Sequence, residues 1–550
     1  MGRGVLAPLL FGFLLLSAAS GCGDESHTPV PRPLDAASCA ALAELALPGT
    51  RVTLAEWNSG VSAGAAGPPA HCRLRGVIDE RAGRGGIVYG IGFELNLPAD
   101  WNRRFYFQGG MGTDGVIFPA VGTFGGRTAL TAGFAVVSTD AGHSGGGAEF
   151  GVDPQARLDY GYNAVDQVTR QAKAILLRAY GRTPEYSYLV GCSGGGRQGF
   201  MAAQRFPDSF DGIVASSPAF DLARVTVASA WNTQAVARIA TTVDADGKPY
   251  LPATFSDADL ALLVDAVLRE CDANDGLADG IVDDLPGCHF LPAVLECAQA
   301  KDQTCLTAEQ VSALEKIFGG ARNSSGEPLY SDFPYDAGIG DSSPLGSLRA
   351  WTLGSPRVPV NNSLNIGLVA GILAFISVTP PVETQDPLGF LLDFDFDEDA
   401  PKIFATSGEY EQSSVEFLNA TSTDLSAFRQ RGGKLIAYHG ASDGVFSAND
   451  TIRWFERLDT AESGRAAEFA RLFVVPGMGH CAGGPATDGF DPVAAIVDWV
   501  ERGVAPDEIV ATANPGSPFP GRTRPLCPYP QQARYRGEGS IEVADNFTCR

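Results

Sequence analysis

The chain has 550 residues and carries 64 Asp and Glu against 40 Lys and Arg, a net charge of −24. That balance, with no basic stripe to follow a phosphate backbone, excludes nucleic acid as a partner. Hydrophobic residues make up 45% of the chain and aromatics 9%, which is globular rather than disordered composition, and no internal repeat argues for a solenoid.

In chain order, Met1-Gly2-Arg3 is followed by an uncharged run from Val5 to Ala18 and then by Ala19-Ser20-Gly21-Cys22. Residues 1–22 read as a signal peptide, too short to span a membrane comfortably. Cys22 behind small residues also has the form of a bacterial lipidation site; an ordinary peptidase cut nearby is the other reading. Residues 23–38 would then be a tether, and a lipid anchor the only membrane contact. Export places the protein outside the cytoplasm, as an outer-membrane lipoprotein or as a periplasmic or extracellular protein. Setting Cys22 aside leaves an even number of cysteines in an oxidising compartment, which implies a disulfide framework. Pairing near neighbours gives 271–288, 297–305 and 527–549, with Cys39 to Cys72 closing the N-terminal segment. Cys192 and Cys481 are left for each other.

From Arg51 to about Gly110, short apolar runs alternate with turns and read as strands, the last ending in Gln108-Gly109-Gly110-Met111-Gly112. Gly133 to Thr139 has the continuous apolar character of a buried parallel strand. A helix is expected over 163–180, with Val165, Val168, Ala172, Ile175 and Leu176 on one face. A strand over 186–190, a glycine turn, a helix to Arg205 and a strand over 212–215 follow. This alternation argues for an α/β fold with a parallel sheet. The rhythm breaks after Phe220 and resumes near Asp424, so 39–220 and 423–550 are assigned to a catalytic domain and 221–422 to an inserted lid domain. Within the insertion, Leu364 to Val378 reads as a buried lid helix ending before Pro380-Pro381.

The sharpest chemical signal is Gly191-Cys192-Ser193-Gly194-Gly195. It fits G-x-S-x-G, in which small flanking residues let a strand turn abruptly into a helix and present a serine oxygen. A Gly-rich turn with a solvated serine is the bland alternative. Gly142-His143-Ser144-Gly145-Gly146 also fits, but 150–160, with Pro154, reads as loop, so Ser144 lacks the following helix. A serine nucleophile needs a base and a group to orient it. Of six histidines, His480 lies in a glycine-rich loop directly after the 470–475 strand, the expected place for the base. His439 closes its own strand and reads as structural. Asp443, in the turn after that strand, suits the orienting acid. A disulfide between Cys192 and Cys481 would bring serine and base together.

This set, with Gly191-Cys192-Ser193-x-Gly195-Gly196-Arg197-Gln198-Gly199, Asp443 and Gly479-His480-Cys481-x-Gly483-Gly484-Pro485, resembles the tannase and feruloyl esterase family of α/β-hydrolases. The resemblance covers nearly the whole mature chain. It implies an α/β-hydrolase fold with a large inserted lid domain, and hydrolysis of esters of aromatic acids outside the cytoplasm. It further implies oxyanion donors at the amide of Gly194 and at an amide of Gly109 or Gly110. Gly194 departs from the larger residue common in the family. The acidic run from Cys271 to Ile281 resembles the family's lid calcium loop, with Asp272, Asp275 and Asp279 binding through side chains and Leu277 and Ile281 through carbonyls. That calcium would be structural, and no organic cofactor is expected. Terephthalate mono-esters remain an alternative substrate, although a free carboxylate would want an arginine and only Arg349 and Arg357 lie between 330 and 401. A non-catalytic surface binding protein on the same fold is the alternative of another class.

Overall fold

The computed structural model describes residues 34–60 and 67–550. Cys22, the signal segment and residues 23–33 of the tether lie outside them. A nine-stranded sheet organises the chain, in the order β1-β2-β3-β5-β4-β6-β7-β8-β9. Its strands are β1 Thr50–Asn58, β2 His71–Ala82, β3 Val88–Pro98, β4 Arg104–Gln108, β5 Ala135–Thr139, β6 Tyr186–Cys192, β7 Gly212–Ser216, β8 Lys434–Gly440 and β9 Ala470–Val475. The pairs β1-β2, β2-β3 and β3-β5 are antiparallel, while β5, β4 and β6 to β9 are mutually parallel. Every residue of β5 and of β7 is buried, as in parallel strands covered on both faces.

One face is covered by the helices Ala164–Tyr180 and Gly194–Arg205, whose apolar residues join one core, and the other by Pro492–Arg502, which joins a second. The parallel strands therefore deliver the loops after β4, β6, β8 and β9 to one sheet edge, where an open α/β sheet places its site.

Two segments differ from expectation. Residues 34–38 are part of the fold rather than tether: Leu34 is buried, Asp35 caps the helix Ala36–Ala41, and Cys39 within it is bridged to Cys72. The stretch after Ser144 contains a helix, Pro154–Leu158, continuing through a wide turn at 159–163 into Ala164–Tyr180. Proline at a first helical turn is favourable, and the Asp153 side chain accepts the Ala156 N–H at 2.9 Å. Ser144 itself lies in an exposed bend well before that helix.

Between β7 and β8 the insertion supplies the helices Leu222–Ala237, Asp257–Cys271 and Ala308–Phe318, the last two begun by Ser256 and Thr307 capping boxes. The expected buried helix is present as one continuous helical run over 364–377, widened to π-type turns at Asn365–Val369 and Ile372–Ser377. Leu373, Ala374 and Ile376 are fully buried there.

Candidate active site

Ser193 sits between β6 and the helix Gly194–Arg205 at φ 60°, ψ −119°. A non-glycine residue in that region is strained and is held there by its surroundings. The shoulders leave no alternative. A Cβ on Gly191 would lie 2.6 Å from the Gly195 backbone, and one on Gly195 would lie 2.8 Å from the Gly110 carbonyl. The Ser193 N–H donates to the Ser216 carbonyl at 3.0 Å, tying the turn to β7.

His480 follows β9 and Asp443 follows β8. The His480 Nδ1 and Asp443 Oδ2 are 2.7 Å apart, and both side chains are buried. Asp443 Oδ1 accepts the Val445 and Phe446 N–H groups at 3.0 Å each. Burial alone would raise the Asp443 pKa. The charge of His480 and hydrogen bonds from His439 and His480 outweigh it and hold the carboxyl well below the usual carboxylate range. His439 lies beside this pair, with Nε2 3.4 Å from Asp443 Oδ2 and 3.1 Å from the Phe446 carbonyl, and Nδ1 2.8 Å from Thr451 Oγ1. Trp351 and Phe446 meet the His480 ring edge-on at centroid distances of 5.1 and 5.2 Å.

Cys192 and Cys481 are bridged, with Cα atoms 6.0 Å apart, so the residue before Ser193 and the residue after His480 are covalently joined. The other bridges join Cys39–Cys72, Cys271–Cys288, Cys297–Cys305 and Cys527–Cys549. A lid segment also braces these loops. Asp336, fully buried, accepts the Ser442 hydroxyl at 2.6 Å and the Gly477 N–H at 2.7 Å on the same oxygen. The Leu345 carbonyl accepts the His480 N–H at 3.2 Å.

The expected oxyanion donors need correction. The Gly109 N–H is spent on the Val190 carbonyl at 2.8 Å, and the Gly110 N–H on Gln198 Oε1 at 3.0 Å. Neither is free for a substrate. The turn continues to Gly112, whose N and O lie 3.6 and 3.4 Å from where a Gly194 Cβ would stand. Gly112, two residues beyond Gly110, is thus the part of this loop that lines the same cleft as Ser193 and Gly194. The glycine run 109–112 pointed to the loop, but only the register of the turn distinguishes its amides.

Ser193 and Gly194 open onto a narrow cleft lined also by Gly112, Tyr160, Leu222, Val225, Trp351, Leu368, Val369, Ile372, Val445 and Phe446. No lining residue carries a charge. Arg349 is buried elsewhere, donating to the Pro252 and Phe255 carbonyls and to Asp257, and Arg357 is exposed. Trp351, Tyr160 and Phe446 had no signal in the sequence beyond being aromatic.

In the acidic loop the aspartates expected to hold calcium are hydrogen-bonded to neighbouring main-chain N–H groups. Asp272 accepts the Asp279 and Gly280 N–H groups, Asp275 accepts from Leu277, and Asp279 accepts from Ile281. The other Asp279 oxygen is taken by Arg524, with Arg522 3.8 Å away. Burial pushes Asp275 up to about 6, with Asp279 and Asp272 adding to the rise. Among the described residues no group of three or more His, Cys, Asp or Glu side chains is gathered to hold a metal ion. Of the loop's aspartates, Asp279 is the one these two arginines pair with, and no catalytic step is routed through a metal.

A strand-turn-helix serine, a buried acid–imidazole pair from later loops and an apolar cleft define a serine hydrolase of the α/β-hydrolase class. Residues 75–550 match the family model "Tannase and feruloyl esterase", and the chain belongs to that family of carboxylic ester hydrolases. It is 46% identical over 533 residues to the mono(2-hydroxyethyl) terephthalate hydrolase of Piscinibacter sakaiensis, covering 91% of this chain and 88% of that one. It is 29% identical to a probable feruloyl esterase of Arthroderma benhamiae over 83% of this chain and 81% of the other. In three dimensions it is similar to feruloyl esterase B from Aspergillus oryzae, with a TM-score of 0.76, 24% identity, and coverage of 94% and 100% of the two chains.

Proposed function

We propose that this protein hydrolyses esters of aromatic carboxylic acids through an acyl-enzyme at Ser193. The observation that carries the reading is the His480–Asp443 pair on loops joined to the Ser193 turn by the 192–481 bridge. His480 takes the Ser193 proton as the hydroxyl attacks the ester carbonyl, and returns it to the departing alcohol. Asp443 accepts the Nδ1 hydrogen, which leaves Nε2 as the base and stabilises the imidazolium formed. The Gly194 amide and the Gly112 amide serve the oxyanion. Water then repeats the sequence on the acyl-enzyme and releases the acid.

The uncharged aromatic cleft favours an acyl group without a second carboxylate, such as a hydroxycinnamoyl or galloyl group. A buried carboxylate without a cationic partner would be strongly disfavoured. The 46% identical relative favours a second reading, hydrolysis of a terephthalate mono-ester. Turnover of methyl ferulate, methyl gallate and a terephthalate mono-ester decides between them: the first reading expects the highest kcat/KM on a neutral ester, and the reverse order overturns it. Ser193→Ala should reduce turnover of every substrate by about 10⁶-fold, and loss of fluorophosphonate labelling in that variant separates an enzyme from a binding protein on the same fold. Export and lipidation at Cys22 belong to the same proposal; no helix among the described residues is long and apolar enough to cross a membrane.

A further inference from the structure

The turn that carries Gly112 is tied down at both ends by one side chain. Gln198, in the second turn of the helix that follows Ser193, is 1% exposed. Its Oε1 accepts the Gly110 N–H at 3.0 Å, and its Nε2 donates to Asp114 Oδ2 at 3.0 Å. The Asp114 N–H closes the turn onto the Met111 carbonyl at 2.8 Å. Tyr160 holds the turn from the other side, its hydroxyl donating to the Gly112 carbonyl at 3.0 Å.

This arrangement admits one orientation of the Gln198 amide. Turning it over would set its N–H groups against the Gly110 N–H and its oxygen against a carboxylate. Asp114 fixes that orientation because an ionised carboxylate only accepts. The arrangement is costly as a stabilising device: Asp114 is 6% exposed and its Oδ1 has no hydrogen-bond partner. Asp114 forms no salt bridge among the described residues, and a buried acid left half-satisfied weakens a fold. Space is equally exact, since a Cβ on Gly110 would lie 2.3 Å from Asp114 Oδ2.

We propose that Asp114 and Gln198 are positioning residues for the reaction. Together they clamp both ends of the 110–114 turn to the nucleophile's own helix, and so set where the Gly112 amide meets the oxyanion. Neither touches substrate. The inference rests on the reading of that turn as an oxyanion donor and of Ser193 as the nucleophile.

The test uses the full-length purified protein at pH 8 on a neutral aryl ester. Burial pushes the Asp114 carboxyl up to about 7 against the pull of Arg197, so at pH 8 the ionised form is compared. Gln198→Met keeps length and volume but loses both bonds; Asp114→Ala loses one. Each should lower kcat by about tenfold to a hundredfold, the scale of a 1 Å misplacement, with KM within about twofold. The double variant should be no slower than the slower single one, because both act through one chain of bonds. Asp114→Asn, which still offers an acceptor oxygen, should recover to within about threefold of the parent. Losses that multiply in the double variant, losses confined to KM, or unchanged kcat overturn the clamp. If Asp114→Ala does not fold, Gln198→Met alone carries the kcat and KM comparison. Ser193→Ala separates the two failures: turnover surviving there sinks the underlying reading, whereas a dead Ser193→Ala beside a fully active Gln198→Met sinks only the clamp.

Discussion

Two buried acidic regions of this molecule behave in opposite ways. At Asp443 two amides, His480 and His439 surround one carboxylate and hold it ionised despite complete burial. In the loop from Asp272 to Asp283 carboxylates lie near enough to raise one another. There burial dominates, pushing Asp275 up to about 6, and it combines with the charges of Asp275 and Asp279 to raise Asp283 well above the carboxylate range. The residue type and the degree of burial do not decide the outcome. What decides it is the opposite charge and the hydrogen-bond donors around a carboxylate against the like charges nearby.

The strongest way to break that contrast is at Asp443. Asp443→Asn should lower kcat by about 10⁴-fold with little change in KM, because the amide favours the wrong imidazole tautomer. The same carboxylate has a pH signature. Its folded pKa lies below the unfolded value, so its stabilisation is complete above about pH 4 and is lost as pH falls through the depressed value. Acid melts of the parent and Asp443→Asn should therefore converge at low pH; parallel curves would show that Asp443 is not held as described. The bridge ranks next. Cys192→Ser with Cys481→Ser should lower stability by about 2–4 kcal/mol and activity more steeply, since the serine and histidine loops lose their covalent register. Simultaneous loss of fold and activity on denaturant titration would assign the bridge to stability alone. Asp336→Ala should cost about tenfold in kcat, as the Ser442 and Gly477 anchors go together; retention of full kcat would show the bridge to be sufficient.

Much of this architecture was legible before any coordinates. The alternation of apolar strands with helices located the parallel sheet, and the glycine shoulders around Ser193 exist because backbone approaches within 3 Å there. Odd-looking cysteines beside Ser193 and His480 located two loops separated by 289 positions. What was not legible depends on register. Choosing among the amides of 109–112 requires knowing which ones the protein already uses, and Gln198 takes Gly110 from a helix far along the chain. The helix at Pro154–Leu158 is hidden in the sequence because proline reads as a breaker unless Asp153 is recognised as the cap in front of it. The cleft aromatics come from the insertion, from the helical turn at 159–163 and from the loop after β8, and only packing brings Trp351 and Phe446 onto one imidazole.

The smallest effect on rate, and the sharpest on the comparison, is expected at the acidic loop. Asp279 is satisfied by Arg524 and by the Ile281 N–H, so a calcium ion would have to draw it away from an existing partner. If calcium is the resident counter-charge, adding it should raise the melting temperature and a chelator should lower it. At about 2 °C or less per kcal/mol for a chain of this size, the expected shift is a few degrees, with kcat changed less than twofold. If neither addition moves the melt, the arginines are the counter-charge, and Arg524→Gln should destabilise the protein by removing one partner of a buried pair, a loss of about 3–5 kcal/mol. In the first case Arg524→Gln should instead be mild in calcium and severe in chelator. Either pattern shows which counter-charge does for the loop what His480 and the surrounding donors do for Asp443.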